Sequence, residues 1–145
     1  MTDSPVPSTP TTDTPATDGP ATGAPWRRAT CHCGAVELRV RLSGGLDTAR
    51  RCDCSFCARR GAVAVTARRE DVEVVKGADA LALYRWGTLT AEHHFCRHCG
   101  IYTHHRRRSN PDECGVNAAC LEGVHLPDLD PVPWSDGVNH PSDRG

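Results

Sequence analysis

Apolar and polar positions alternate along Val36, Leu38, Val40 and Leu42, with Glu37, Arg39 and Arg41 between them. A period of two marks a strand with one face buried and one in water. Shorter versions recur down the chain. Residues 62–66 and 72–75 predict two short strands, with Lys76-Gly77 turning after the second. Leu81 to Arg85 predicts another, and Leu89 to Phe95 one more. Ile101 to Arg106 and Gly115 to Leu121 follow, separated by the turn-forming run Ser109-Asn110-Pro111-Asp112-Glu113. After Gly123 the chain turns to Pro and Asp, which predicts an extended cover rather than regular structure. No long stretch keeps a helical period, so the expectation is an all-β domain of short antiparallel strands.

Residues 1–25 carry no such pattern. They are Pro, Thr, Ala, Ser, Asp and Gly with almost nothing to bury, too little to offset the entropy of ordering. The reading is a disordered Pro/Thr-rich arm over 1–25, a domain over 26–140 beginning at Trp26, and a tail over 141–145.

Composition adds a reason to look at sulfur. Seven aromatic residues among 145 leave a core resting on Val, Leu and Ala, and nine cysteines are the obvious further support. An odd number fits pairwise bridging poorly, and the N-terminus shows neither the basic nor the apolar region of a signal peptide. In a reducing cytoplasm, closely spaced cysteines point to metal ligands or catalytic thiols. The apolar runs are far too short for a membrane span, so no membrane is expected.

The cysteines fall into two constellations. Cys31-x-Cys33 and Cys96-x-x-Cys99 each sit at a strand boundary and are each followed by glycine. Two such pairs make a closed, tetrahedral, structural zinc site, with an iron–sulfur cluster as the rival. Cys52, Cys54 and Cys57 pack three thiols into six residues with no fourth cysteine at knuckle spacing. Three ligands and an exchangeable position is the layout of catalytic zinc. On spacing alone the fourth ligand stays open: Cys114, Cys120, His32, His93, His94, His98, His104 and His105 are all candidates.

Charge decides what an open three-thiolate zinc can do. Three thiolates outweigh the +2 of zinc, which makes the centre a poor Lewis acid toward a carbonyl. It binds and deprotonates an incoming thiol well, and that sulfur can attack a small electrophile such as an aldehyde carbon. The overall net charge of −1 hides a basic middle, 16 basic against 11 acidic residues between 26 and 127. Nearly all of the basic residues are Arg, whose planar fork suits carboxylates. Arg50, Arg51, Arg59 and Arg60 flank the three-thiol knuckle and can hold an anionic thiol.

At these residues the chain resembles the glutathione-dependent formaldehyde-activating enzymes, a family grouped with centromere protein V. The shared motifs are Cys31-His32-Cys33-Gly34, Cys52-x-Cys54-x-x-Cys57 and Phe95-Cys96-x-x-Cys99-Gly100. The resemblance continues through Thr103 to Pro111 and Asn117 to Gly123, and it covers about residues 26 to 140; the N-terminal arm is no part of the family pattern. It implies a β-tent fold with two zinc ions, one structural on Cys31, Cys33, Cys96 and Cys99 and one catalytic on Cys52, Cys54 and Cys57. The implied reaction joins glutathione and formaldehyde as S-(hydroxymethyl)glutathione, a carbon–sulfur lyase reaction. The thiol is glutathione or a similar low-molecular-weight thiol.

The rival is a non-catalytic, zinc-stapled module that binds partners or carries thiol adducts. Arg106-Arg107-Arg108 is a short basic run without interleaved aromatics, which predicts no nucleic-acid partner. His93-His94 and His104-His105 each put one imidazole on either face of a strand, as satisfied core or surface groups or as helpers of proton transfer. His98 is expected to face solvent. Cys114 and Cys120 read as small buried apolar groups, and Ser109-Asn110-Pro111 as a turn near the site.

Overall fold

The computed structural model describes residues 24–136. The proposed arm, apart from its last two residues, and the tail at 141–145 lie outside the described residues. Seven strands form one antiparallel sheet: β1 (Trp26–Thr30), β2 (Glu37–Leu42), β4 (Ala64–Lys76), β5 (Leu81–Tyr84), β6 (Glu92–Cys96), β7 (Tyr102–Arg106) and β8 (Glu113–Asn117). Their spatial order is β1-β2-β4-β8-β7-β6-β5. Two short strands, β3 (Arg51–Cys52) and β9 (Trp134–Ser135), pair in parallel beside it. One α-helix, α1 (Ser55–Arg60), follows β3. The expected all-β architecture of short antiparallel strands is what the chain adopts.

The alternation in β2 works as the sequence predicts. Leu38, Val40 and Leu42 are buried and meet Val63, Val65, Ala67 and Val116 in the core. Among the described Phe, Tyr and Trp residues only Tyr102 is buried, so aliphatic residues and cysteines carry most of the interior.

Two strands expected over 62–66 and 72–75 are one strand of 13 residues. The polar run between them suggests a loop. In the structure Leu42 pairs with Ala67 while Val40 pairs with Val72, so residues 68–71 form a bulge in a strand that keeps going. Asp71 turns inward there and binds Arg41 at 2.9 Å, which pairs its charge. The cover after Gly123 is more regular than expected. It holds a 3-10 turn at Leu126–Leu129, buries Val132 in the core, and ends in β9 against the cysteine knuckle.

Four strands lie between β1 and β6 in the sheet, yet the turns that follow β1 and β6 meet. The sheet must curl for that to happen. Ala29 bridges to Leu121 and Glu122 N donates to Arg28 O at 2.8 Å, which covers the free edge of β1.

Candidate functional site

Cys31 and Cys33 occupy the β1–β2 turn, and Cys96 and Cys99 the β6–β7 turn. Both turns are built alike. Gly34 (φ 84°) and Gly100 (φ 80°) take the left-handed conformation that closes each knuckle. Backbone N–H groups point at sulfur: Val36 N donates to Cys31 Sγ and His98 N to Cys96 Sγ, each at 3.3 Å. Cys33 Sγ lies 3.7 Å from both Cys31 Sγ and Cys96 Sγ. That is far longer than a disulfide, about 2.05 Å. It matches the edge of a tetrahedron around zinc, about 3.8 Å for Zn–S bonds of about 2.3 Å. With Cys99, all four sulfurs lie within 4.8 Å of one another. The donor set fits a closed metal site that ties the two ends of the sheet together. Gly77 packs on the first knuckle so closely that a Cβ there would fall 1.9 Å from Ala35 O.

The second group is built by a very short helix. Cys54 is its N-cap, with Sγ accepting from Cys57 N at 3.2 Å where an oxygen usually serves. Gly61 (φ 68°) ends the helix, and its N–H reaches Cys57 O at 2.8 Å. One helical turn therefore returns Cys57 to Cys54, while β3 delivers Cys52. On the far side, β9 holds β3 through Arg51 N to Pro133 O at 2.9 Å and Asp53 N to Ser135 O at 3.2 Å. The three sulfurs lie within 4.8 Å of one another, and among the described residues no fourth His, Cys, Asp or Glu joins them. A hydrogen bond with Cys57 first of all draws Cys52 down to about 5, and the same bond pushes Cys57 up. Three sulfurs this close together can share a cation, so this donor set also fits zinc, with a position left open among the described residues.

A cleft of about 220 Å³ opens over these thiols. Five arginines line it (Arg50, Arg51, Arg60, Arg107 and Arg108) against the carboxylate of Asp136. Trp86 and small side chains at Ala62, Ala64 and Ala91 complete much of the wall. The cleft is strongly cationic and suits an anionic ligand. Of the four arginines predicted to hold a thiol, Arg50, Arg51 and Arg60 line it. Arg59 turns back to donate to Ser55 O at 2.7 Å and is not among the lining residues.

Arg107 and Arg108 arrive instead from the basic run Arg106-Arg107-Arg108, which the sequence does not mark as part of the thiol-holding set. Arg107 is braced by Thr66 Oγ1 at 2.9 Å, which ties the β7–β8 turn to β4. Ser109 from that turn also lines the cleft, where the sequence reading expected it.

The histidine pairs split between the two faces of the sheet. His93 and His105 line the cleft and stack on one another with centroids 5.0 Å apart. His94 and His104 stack on the opposite face at 4.6 Å, with His104 Nδ1 2.9 Å from Thr103 Oγ1. Burial, first of all, holds His93 down to about 4 and His105 well below the ordinary imidazole range. Tyr102 OH lies 2.7 Å from His105 Nδ1, and burial raises the Tyr102 phenol. Cys114 and Cys120 are buried outside both thiol groups, and His98 is exposed.

The sequence profile of the family described as glutathione-dependent formaldehyde-activating enzyme matches residues 26–132. The chain belongs to this family. A crystal structure of a Rhodobacter sphaeroides protein is similar over 74% of this chain and 99% of that one, at 65% identity with a TM-score of 0.74. Both thiol groups, the helix between Cys54 and Gly61 and nearly all of the cleft fall inside the family match; Ser135 and Asp136 lie just beyond it.

Proposed function

We propose that this protein is a zinc-dependent carbon–sulfur lyase that joins glutathione, or a similar anionic thiol, to formaldehyde or another small aldehyde. The product is the S-hydroxymethyl thiol, and the reverse reaction cleaves the same carbon–sulfur bond. The observation that carries this reading is a three-thiol group that no fourth His, Cys, Asp or Glu among the described residues joins, facing a cationic cleft. A closed four-ligand site, as at Cys31, Cys33, Cys96 and Cys99, has no room for substrate. We assign that closed site a structural zinc and the group of Cys52, Cys54 and Cys57 a catalytic one. Zinc held by three thiolates would deprotonate an incoming thiol and keep its sulfur nucleophilic.

The chain's own residues supply binding and orientation. Arg50 and Arg51 at one part of the rim and Arg107 at another can hold carboxylates of the thiol, so that its sulfur faces the cysteines. The small walls leave space for a small aldehyde. We place the protein in the cytoplasm because all nine cysteines are unbridged and thiolate ligands need a reducing compartment. Among the described residues no helix is long and apolar enough to cross a membrane.

The test measures zinc per chain and glutathione–formaldehyde turnover in the wild type and in Cys54→Ser. Two zincs should fall to one, with the circular dichroism spectrum retained and turnover lost. A folded wild type holding two zincs, with neither turnover nor thiol binding, would favour the partner-binding module and overturn this reading.

A further inference from the structure

Behind Cys57 lies a set of side chains that the reaction above leaves unused. Arg60 runs between two aromatic rings, its guanidinium carbon 3.6 Å from the Tyr102 centroid and 4.7 Å from that of Phe56. One terminal nitrogen donates to Cys57 Sγ at 3.4 Å and the other reaches His93 Nδ1 at 3.2 Å. A guanidinium has donors only and stays charged at any working pH. His93 Nδ1 must therefore accept, which leaves the proton of the neutral ring on Nε2. The ring is also fixed in place, stacked on His105 and edge-on to Phe56 with centroids 4.7 Å apart. Burial and the charge of Arg60 keep it neutral at working pH. His93 lines the cleft together with the three thiols.

We propose that His93 is a catalytic hydrogen-bond donor, its Nε2–H stabilising the aldehyde oxygen as negative charge develops there, with Arg60 as the positioning residue that selects this tautomer. The inference rests on the thiol–aldehyde reaction proposed above. In the addition, the thiolate sulfur forms the C–S bond and the C=O π pair moves to oxygen. The oxygen then takes a proton from water, into which the thiol released its own, so that one thiol and one aldehyde sum to one hemithioacetal. His93 keeps its proton throughout. It contributes a preorganised dipole at the position where charge appears.

The first test needs no turnover. Long-range 1H–15N spectra of the zinc-loaded wild type at neutral pH should show His93 protonated on Nε2 alone, and Arg60→Met should mix the tautomers. A His93 protonated on Nδ1, or on both nitrogens, overturns the proposal. The second test is kinetic. His93→Phe keeps a ring and should lower kcat about 10²–10³-fold, the loss typical of one oxyanion donor, with zinc content unchanged and the thiol KM within about twofold of wild type. His93→Gln, which keeps an N–H near the Nε2 position, should recover about tenfold or more of that loss. Unchanged kcat in His93→Phe, or equal losses in both variants, overturns the donor role. A wild type that turns over no thiol–aldehyde pair sinks the reaction assignment instead, and the spectra still judge the tautomer.

Discussion

Gly115 lies directly opposite His105 in the β7–β8 ladder, and a Cβ on it would fall 2.4 Å from His105 Cε1. The imidazole occupies the place where a side chain would stand. Strand propensity disfavours glycine in such a position, so the cost has to be set against what the ring does there. His105 fills the gap, meets the Tyr102 hydroxyl and supports His93 from behind. Gly115→Ala should push the ring out of register. Overpacking of this kind costs about 1–3 kcal/mol. The expected outcome is a lower thermal midpoint, zinc content unchanged, and turnover reduced beyond what the stability loss explains. An alanine variant as stable and active as wild type would show that the ring relaxes freely.

The parts of this protein that were legible in its sequence are those set by local spacing. Cys31-x-Cys33 and Cys96-x-x-Cys99 announce their turns because a metal knuckle is a contiguous object closed by its own glycine. The alternation at Leu38, Val40 and Leu42 likewise gives both the strand and its buried face. The three-thiol group was legible as a cluster of thiols but not as a helix, since six residues from Ser55 to Arg60 carry no readable period. There the capping by Cys54 and Gly61 decides the conformation. Arg107 enters the cleft through the β7–β8 turn, 50 positions beyond Cys57, so nothing local links it to the knuckle. Arg59 shows the opposite failure. It neighbours Arg60 in sequence, but the next position on a helix points another way, and its guanidinium folds back on Ser55.

That contrast yields a direct comparison. Arg50→Gln removes a charge from the cleft, whereas Arg59→Gln removes one from outside it. An exposed ion pair is worth up to about 1 kcal/mol, so Arg50→Gln should raise the thiol KM about two- to fivefold with little change in kcat. The effect should shrink as salt is added, because screening weakens exposed pairs. Arg59→Gln should leave both constants close to wild type. Equal effects at the two positions would mean that net charge alone, not placement around the cleft, governs thiol binding.

The two thiol groups should also respond differently to losing a ligand. Binding of structural zinc is worth about 10–16 kcal/mol in small zinc peptides, comparable to the whole stability of a domain, about 5–15 kcal/mol. The four-thiol group joins turns from opposite ends of the curled sheet, so Cys99→Ser should prevent stable folding. Chelators should unfold the wild type at the same step that empties this site. Circular dichroism recorded alongside zinc release checks both, and a folded Cys99→Ser protein retaining two zincs would refute the structural assignment.

The histidine pair on the face away from the cleft makes stability depend on pH. His104 is buried and stacked on His94, and burial, followed by the charge of His94, holds it down to about 3. An unfolded histidine titrates near 6.5. Between these values the unfolded chain binds a proton that the folded chain refuses, so stability must rise with pH across that window and fall on acidification. Within that window one such group gives a slope of up to about 1.4 kcal/mol for each pH unit; the stability it contributes is present in full above about 6.5 and is lost progressively toward 3. Acid also protonates the thiolates and releases metal, which would obscure the effect in wild type alone. His104→Phe keeps an aromatic ring against His94 while removing the titration, and both proteins suffer the thiolate loss alike. Denaturant midpoints from pH 7 to pH 4 should therefore converge, with wild type losing stability faster than His104→Phe as the pH falls. Parallel curves for the two proteins would mean that His104 gains its proton without unfolding, through local opening of the His94 stack.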